Sequence, residues 1–259
     1  MVILLNLAKG SEHLMINNIY LGLKFSFSYF SILPIPFKRT DNLAQKEVLA
    51  SMLLFLPLIG FTLGGISIIL FSFLAPLGWY GAIISAVGYM ILYGFLHTEA
   101  VMDVADAIYA THSGKNAYAI IKEPTVGAMG VLYAVGLVLL KVAGSVYLLT
   151  HHLFMEFISV LIISRLSLLM LFKIHTFKSS FTIQLKNALS KGYLITSFLL
   201  FSLLGSFLTP YFILILIQGV VLALIISWII KSKIGFVNGD VLGATLEGVE
   251  TLLFIGVAL

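Results

Sequence analysis

Glu99, Asp103 and Asp106 recur at i, i+4 and i+7 in the segment HTEAVMDVADA, a spacing that sets three carboxylates along one helical face. The residues between them are mostly apolar, so the acids form a stripe. Like charges this close repel, and the stripe makes sense only if something positive bridges it. Ligands that are all oxygen favour a hard ion such as Mg²⁺, which takes one or two carboxylates and completes its shell with substrate phosphates. The competing reading is a solvated helix face just outside a membrane. A second acidic stretch, NGDVLGATLEGVE, places Asp240 and Glu247 seven apart with Glu250 adjacent. Gly239 and Gly243 allow close backbone approach at the start of that helix. Glu247 falls within an apolar run, where a solvated face is a poor account. Buried pairing with Lys24, Lys141 or Arg165 is the alternative.

Between these stretches lies IIKEPTVGAMG. Lys122 and Glu123 precede Pro124, which marks a loop before a helix start. Gly127 and Gly130 then bare the backbone near that helix N-terminus, a place suited to phosphate. His97, just before the acid stripe, could hydrogen-bond a phosphate, orient a carboxylate or simply be interfacial. Arg165 lies inside an apolar run, where it must pair with a carboxylate or with substrate phosphate; Lys141 snorkels or pairs. His112, His151 and His152 read as loop residues, and the many Phe and Tyr as mainly lipid-facing or interfacial.

The elements that position these groups follow from composition. The chain has 259 residues, 60% hydrophobic and 10% charged, with 11 acidic and 15 basic side chains. A soluble domain carries about a quarter of its residues as charged. The expectation is an all-α, polytopic integral membrane helical bundle of about 7–8 transmembrane helices, a single catalytic domain over 1–259 with 1–17 as an N-terminal tail. Spans are expected near 18–37, 48–75, 77–97, 126–149, 154–172, 193–208, 211–230 and 241–258. Pro57 could kink the second, and Lys24 with SILPIPF could make the first re-entrant. The apolar N-terminus is too short and badly flanked for a signal peptide.

Charge at a transmembrane helix centre costs about 2.5–3.5 kcal/mol per residue, so acids there must face a wet cavity, a counter-charge or a cation. Eleven of the fifteen basic residues fall in loops 38–47, 98–125, 173–192 and 231–240, and the loops of the opposite side hold none. That asymmetry assigns the basic loops to the cytoplasm. The absence of cysteine excludes disulfides, thiolate metal sites and a cysteine nucleophile. A net charge of +4 without a basic run gives no case for nucleic acid.

GFLHTEAVMDVADA resembles the signature of the cobalamin synthase (adenosylcobinamide-GDP ribazoletransferase) family, which typically reads close to GGLHLDGLADTADG. IIKEPTVGAMGVL is similar to the family's IMKDxxxGxxGVL, and GFVNGDVLGATLEGVE to its GGxTGDVLGAxxExxE. SILPIPF, FLPLIGFTLGG and ISRLSLLM match further blocks, so the resemblance runs from about residue 25 to 250. Glu99 and Glu123 stand where Asp is usual, Ala100 and Ala107 where Gly is, and Asn238 where Thr is. Both acid changes keep the charge and add one methylene, which could shift the metal geometry slightly.

The resemblance implies that adenosylcobinamide-GDP reacts with α-ribazole or its 5′-phosphate, releasing GMP and forming adenosylcobalamin or its phosphate. On that reading Glu99, Asp103 and Asp106 hold Mg²⁺ against the diphosphate. Asp240 and Glu247 complete the metal site or act as base, with His97 as a third catalytic candidate. Lys122, Arg165, Gly127 and Gly130 take phosphate oxygens. The expected setting is the cell (inner) membrane with the site toward the cytoplasm; the expected partners are the two substrates and the bilayer, with a homo-oligomer possible. A CDP-alcohol phosphotransferase would carry D-x₂-D-G-x₂-A-R-x₈-G-x₃-D-x₃-D, which is absent. A cation-coupled transporter would place acids near the midplane and show symmetric halves; here the acids gather toward one face and no repeat is visible.

Overall fold

The computed structural model describes the backbone from Val2 to Leu259 and the side chains from Met15 onward. Among these residues the chain is helical throughout: α1 Val2–Phe30, α2 Lys46–Leu54, α3 Leu56–Leu74, α4 Trp79–Leu92, α5 Leu96–His112, α6 Ala117–Ile120, α7 Ala128–Thr150, α8 Phe154–Ile174, α9 Ser180–Ala188, α10 Lys191–Leu208, α11 Phe212–Ile234 and α12 Gly239–Ala258. The all-α polytopic bundle is what composition required. Among the described residues six segments are long and apolar enough to cross a membrane, Leu56–Leu77, Ala128–Thr150, Phe154–Ile174, Lys191–Leu208, Phe212–Ile234 and Gly239–Ala258, or seven if the bent pair α4 and α5 counts as one span.

α8 is the axis. Every side chain from Phe157 to Leu169 is buried, and α3, α7, α10, α11 and α12 all pack against it. The outer helices show the opposite pattern, with Leu199, Leu203, Phe207 and Trp228 among the large apolar side chains left on the surface. A helix buried all round at the centre, ringed by helices apolar on both faces, is how a bundle solvated by hydrocarbon is built.

Three of the eight expected spans are drawn differently. The segment 48–75 is two helices, because α2 ends at Phe55 and the chain restarts with Pro57 in the first turn of α3, where a missing N–H is tolerated. The first span, 18–37, is not among the six. Its helix stops at Phe30, short of the Pro-rich SILPIPF, and runs back over the expected 1–17 tail to Val2. The third, 77–97, is a broken element. α4 has 14 residues, about 21 Å, against a hydrocarbon core of about 30 Å.

α5 leaves α4 at 79°. The turn is a glycine-type helix stop: Gly94 N–H donates to Ile91 O and Phe95 N–H to Met90 O, and Gly94 has φ +66°, which satisfies the last carbonyls of α4. Phe95 follows in the left-handed region at φ +54°, a conformation a bulky residue adopts only under outside constraint.

α5 is held mainly by α12 and α7. The contact with α12 is close because Gly243 faces Ala100: a Cβ at Gly243 would lie 2.8 Å from that of Ala100. Asn238 starts α12 as its N-cap, its Oδ1 accepting from Val241 N–H at 3.1 Å, so the departure from Thr keeps a capping residue. Gly243→Val should therefore overpack the α5–α12 contact and cost about 1–3 kcal/mol, read as a lower denaturation midpoint in detergent micelles.

Candidate active site

A cavity of about 600 Å³ opens at one end of the bundle. Its walls come from the start of α3 (Leu56), the first turns of α5 (His97, Ala100), the end of α8 (Leu168, Phe172) and the start of α12 (Asn238 to Asp240, Gly243), with Tyr29 and Phe30 of α1. The short α6 with the loop after it and the loop leading into α9 complete it and bring Tyr118, Lys122, Lys178, Ser179 and Ser180. One part is apolar and aromatic, through Leu56, Phe30, Leu168, Phe172 and Phe181. The other carries Asp240, the two lysines and the hydroxyls.

Asp240 is partly buried, and its Oδ2 accepts from Asn238 Nδ2 at 2.6 Å. Burial and then the Asp240 charge hold the Tyr29 phenol above its ordinary range. Across the α5–α12 contact, Asp103 lies within electrostatic reach of Asp240, Glu99 and Asp106. Glu99 is exposed, Asp103 and Asp106 half-buried, and none of the three lines the cavity itself. The acid face of α5 thus flanks the cavity rather than walling it.

The stripe and the glycine loop meet, in a way the spacing did not foretell. The amides of Gly127 and Gly130, expected to face substrate phosphate, both donate to Asp106, at 2.5 and 2.7 Å. Asp106 therefore stands where an anion would bind at the N-terminus of α7. Among the described residues no three His, Asp or Glu side chains converge as a ready-made metal cluster. Glu99, Asp103, Asp106 and Asp240 nonetheless have no ion-pair partner among those residues, since the ion pairs there join only Lys141, Arg165, Glu247 and Glu250. An all-oxygen group without counter-charge fits a hard cation whose shell is completed by ligand phosphates. It does not fit a closed protein cage.

Glu247 takes the buried pairing given as the alternative to a catalytic place, and Arg165 takes a carboxylate partner rather than the phosphate role expected for it. Both are buried in the bundle interior beside the cavity, in a four-charge network. Lys141 Nζ lies 2.7 Å from Glu247 Oε2 and 2.6 Å from Glu250 Oε2, and Arg165 Nη1 lies 2.5 Å from Glu250 Oε1. Hydroxyls fill the remaining lone pairs: Tyr93 donates to Glu247 at 2.6 Å, and Tyr89 and Ser164 donate to Glu250 at 3.0 Å. Arg165 also donates to Leu161 O and to the Tyr89 hydroxyl. Two cations and two anions balance, which removes the cost of an unpaired charge inside the membrane. Arg165 does not line the cavity; its guanidinium is directed at Glu250, Leu161 O and the Tyr89 hydroxyl.

His97 joins the two regions. It lines the cavity, is buried, and stacks on Tyr93 with ring centroids 5.7 Å apart. Of the expected residues, the structure brings Asp240, His97 and Lys122 to the cavity, sets Glu99, Asp103 and Asp106 beside it, and puts Glu247 and Arg165 in the network. Tyr89 and Tyr93, grouped with lipid-facing aromatics on composition, are fully buried. Lys178 and Tyr118 were missed altogether; neither sits in a motif, and only the fold brings them together.

The family model described as cobalamin-5-phosphate synthase matches residues 22–258. The chain belongs to the cobalamin-5-phosphate synthase family. It is 30% identical over 260 residues to an adenosylcobinamide-GDP ribazoletransferase of Clostridium perfringens, covering 93% of this chain and 97% of that one. Relatives of the same name from Chlorobaculum tepidum and Brevibacillus brevis are 29% and 28% identical over 92% and 89% of this chain, and 95% and 94% of theirs. No solved structure matches. The cobalamin-5-phosphate synthase match spans every element that builds the cavity and the network except the first part of α1.

Breaking the network from one side should be severe. Lys141→Met leaves Glu247 without a cation and should cost about 3–5 kcal/mol; Lys141→Met with Glu247→Gln should recover part of that loss. Unfolding of both variants in the same micelle measures the difference.

Proposed function

We propose that this chain is an adenosylcobinamide-GDP ribazoletransferase of cobalamin synthesis. It joins adenosylcobinamide-GDP to α-ribazole or its 5′-phosphate and releases GMP. The family match over residues 22–258 carries the reading. The cavity supports it: Asp240, Lys122 and Lys178 line it without pairing with one another, beside an apolar wall.

A ribose hydroxyl oxygen of α-ribazole bonds to the phosphorus that carries the cobinamide. The bond from that phosphorus to the bridging oxygen breaks, and that oxygen leaves with GMP. The hydroxyl proton passes to a base. Reactions of this kind depend on positioning and on neutralising charge. On this reading Asp240 accepts the proton, which its bond from Asn238 and its position in the cavity lining support. His97, held by its stack on Tyr93, is placed to donate to or orient a substrate oxygen. Lys122 at the rim meets phosphate oxygens. The apolar wall from Leu56 to Phe172 suits the planar base of α-ribazole and excludes water from the reacting phosphate.

Glu99 and Asp103 would hold Mg²⁺ on the α5 side of the helix contact from Asp240. When bound, the ion supplies neutralisation of the diphosphate charge. Asp106, bonded to Gly127 and Gly130, positions the start of α7 beside this group. Glu247 and Arg165 act through the network, as positioning residues. The cavity shares its end of the bundle with the basic loops, which supports a cell-membrane enzyme whose site opens to the cytoplasm.

The test is GMP release from adenosylcobinamide-GDP and α-ribazole 5′-phosphate by the protein in liposomes. Wild type should release GMP, lose that activity with EDTA and regain it with added Mg²⁺. Asp103→Asn should lower release about a hundredfold or more while inserting normally. Wild-type turnover in that variant would remove the carboxylate group from the mechanism.

A further inference from the structure

Lys122 and Lys178 reach the same aromatic ring. Lys178 Nζ lies 4.1 Å from the centroid of Tyr118, and Lys122 Nζ lies 4.7 Å from it. Lys178 Nζ also sits 5.0 Å from the Phe236 ring, which meets Tyr118 edge-on with centroids 5.2 Å apart. Two ammonium groups are thus gathered at one ring although they repel each other. No carboxylate pairs with either among the described residues. Neighbouring lysines are used differently: Lys186 and Lys173 donate to the backbone carbonyls of His175 and Leu189.

The choice of partner has a chemical consequence. A carboxylate would hold a lysine and cancel its charge. An aromatic face holds it through the ring quadrupole and leaves the full charge available. The backbone from which that charge extends is anchored, because Lys178 N–H donates to Val237 O at 2.9 Å. This joins the loop before α9 to the loop before α12, directly ahead of Asn238 and Asp240. Lys122, Tyr118, Lys178, Asn238 and Asp240 all line the cavity.

From this geometry we infer that Lys178, with Lys122 and held by Tyr118, forms a two-lysine clamp for the diphosphate of the nucleotide substrate. The identity of the anion rests on the reaction proposed above; the clamp rests on the lysine–ring geometry. Lys178 is a binding residue here, and Tyr118 positions it. The apolar wall on the far side of the lining is then left for the other substrate.

Two readouts separate the clamp from the reaction. The first is binding of GDP to the purified full-length protein by calorimetry, which needs no turnover. Lys178→Ala should weaken it about tenfold or more, as loss of a hydrogen bond to a charged group does. Lys178→Arg should restore most of it, and Tyr118→Glu, which gives both lysines a carboxylate, should weaken it at least as much as Lys178→Ala. Lys233→Ala, a charge removed from the exposed end of α11, should leave it unchanged. The second is steady-state turnover, where Lys178→Ala should raise KM for adenosylcobinamide-GDP by a similar factor and leave KM for α-ribazole 5′-phosphate unchanged. GDP affinity and nucleotide KM that are both unaffected by Lys178→Ala would overturn the clamp. Weakened GDP binding in a protein that releases no GMP even as wild type would uphold the clamp and reject the reaction.

Discussion

At the centre of the bundle Lys141, Arg165, Glu247 and Glu250 share a site from which water is excluded. They come from three helices: Lys141 from α7, Arg165 from α8 and the two glutamates from α12. A carboxylate or ammonium left alone there would be prohibitively costly, so these helices can pack in one register only, with each charge met. Tyr89 and Tyr93 extend the requirement to α4, through hydroxyls bonded to Glu250 and Glu247. Four helices are therefore located by one neutral cluster, something lipid-facing leucines, interchangeable in hydrocarbon, could not achieve.

The site inherits its geometry from that cluster. Tyr93 is the last residue before the turn that throws α5 off at 79°. With Tyr93 pinned to Glu247, the left-handed Phe95 is tolerated and His97 is set against the Tyr93 ring. Thr98 joins the same Glu247 oxygen. The acids begin at the next residue, Glu99. The carboxylates of α5 and Asp240 of α12 thus meet across a contact fixed from below by charge and closed by Gly243 against Ala100. A group of like charges without counter-ions is stable at the wet end of the bundle because the paired charges deeper down hold it there.

Much of this was legible in the residues. Sparse charge required a polytopic bundle, and the i, i+4, i+7 spacing put Glu99, Asp103 and Asp106 on one helix face. Arg165 inside an apolar run had to be paired, and it is. What spacing could not reveal was which partner each charge would take. Asp240 and Glu247 share a face seven residues apart, yet one reaches the cavity and the other the interior, because depth along α12 separates them by two turns. Gly127 and Gly130 read as a phosphate cradle until the fold brings Asp106 to their amides. Lys178 and Tyr118 are far apart in sequence, one in the loop before α9 and the other in the single-turn α6, so nothing local marked them. Span boundaries failed where Pro57 and Gly94 interrupt apolar runs that hydropathy alone would join.

The central claim is that the buried charges set the position of α5 against α12. Because the chain has no cysteine, spin labels at His112→Cys and Leu252→Cys report on that pair alone, by double electron–electron resonance in liposomes. With Glu247 intact the distance distribution should be single and narrow. Glu247→Gln, which keeps the shape and removes the charge, should broaden or shift it and lower GMP release while the protein remains inserted. The same narrow distribution in both proteins would contradict the account.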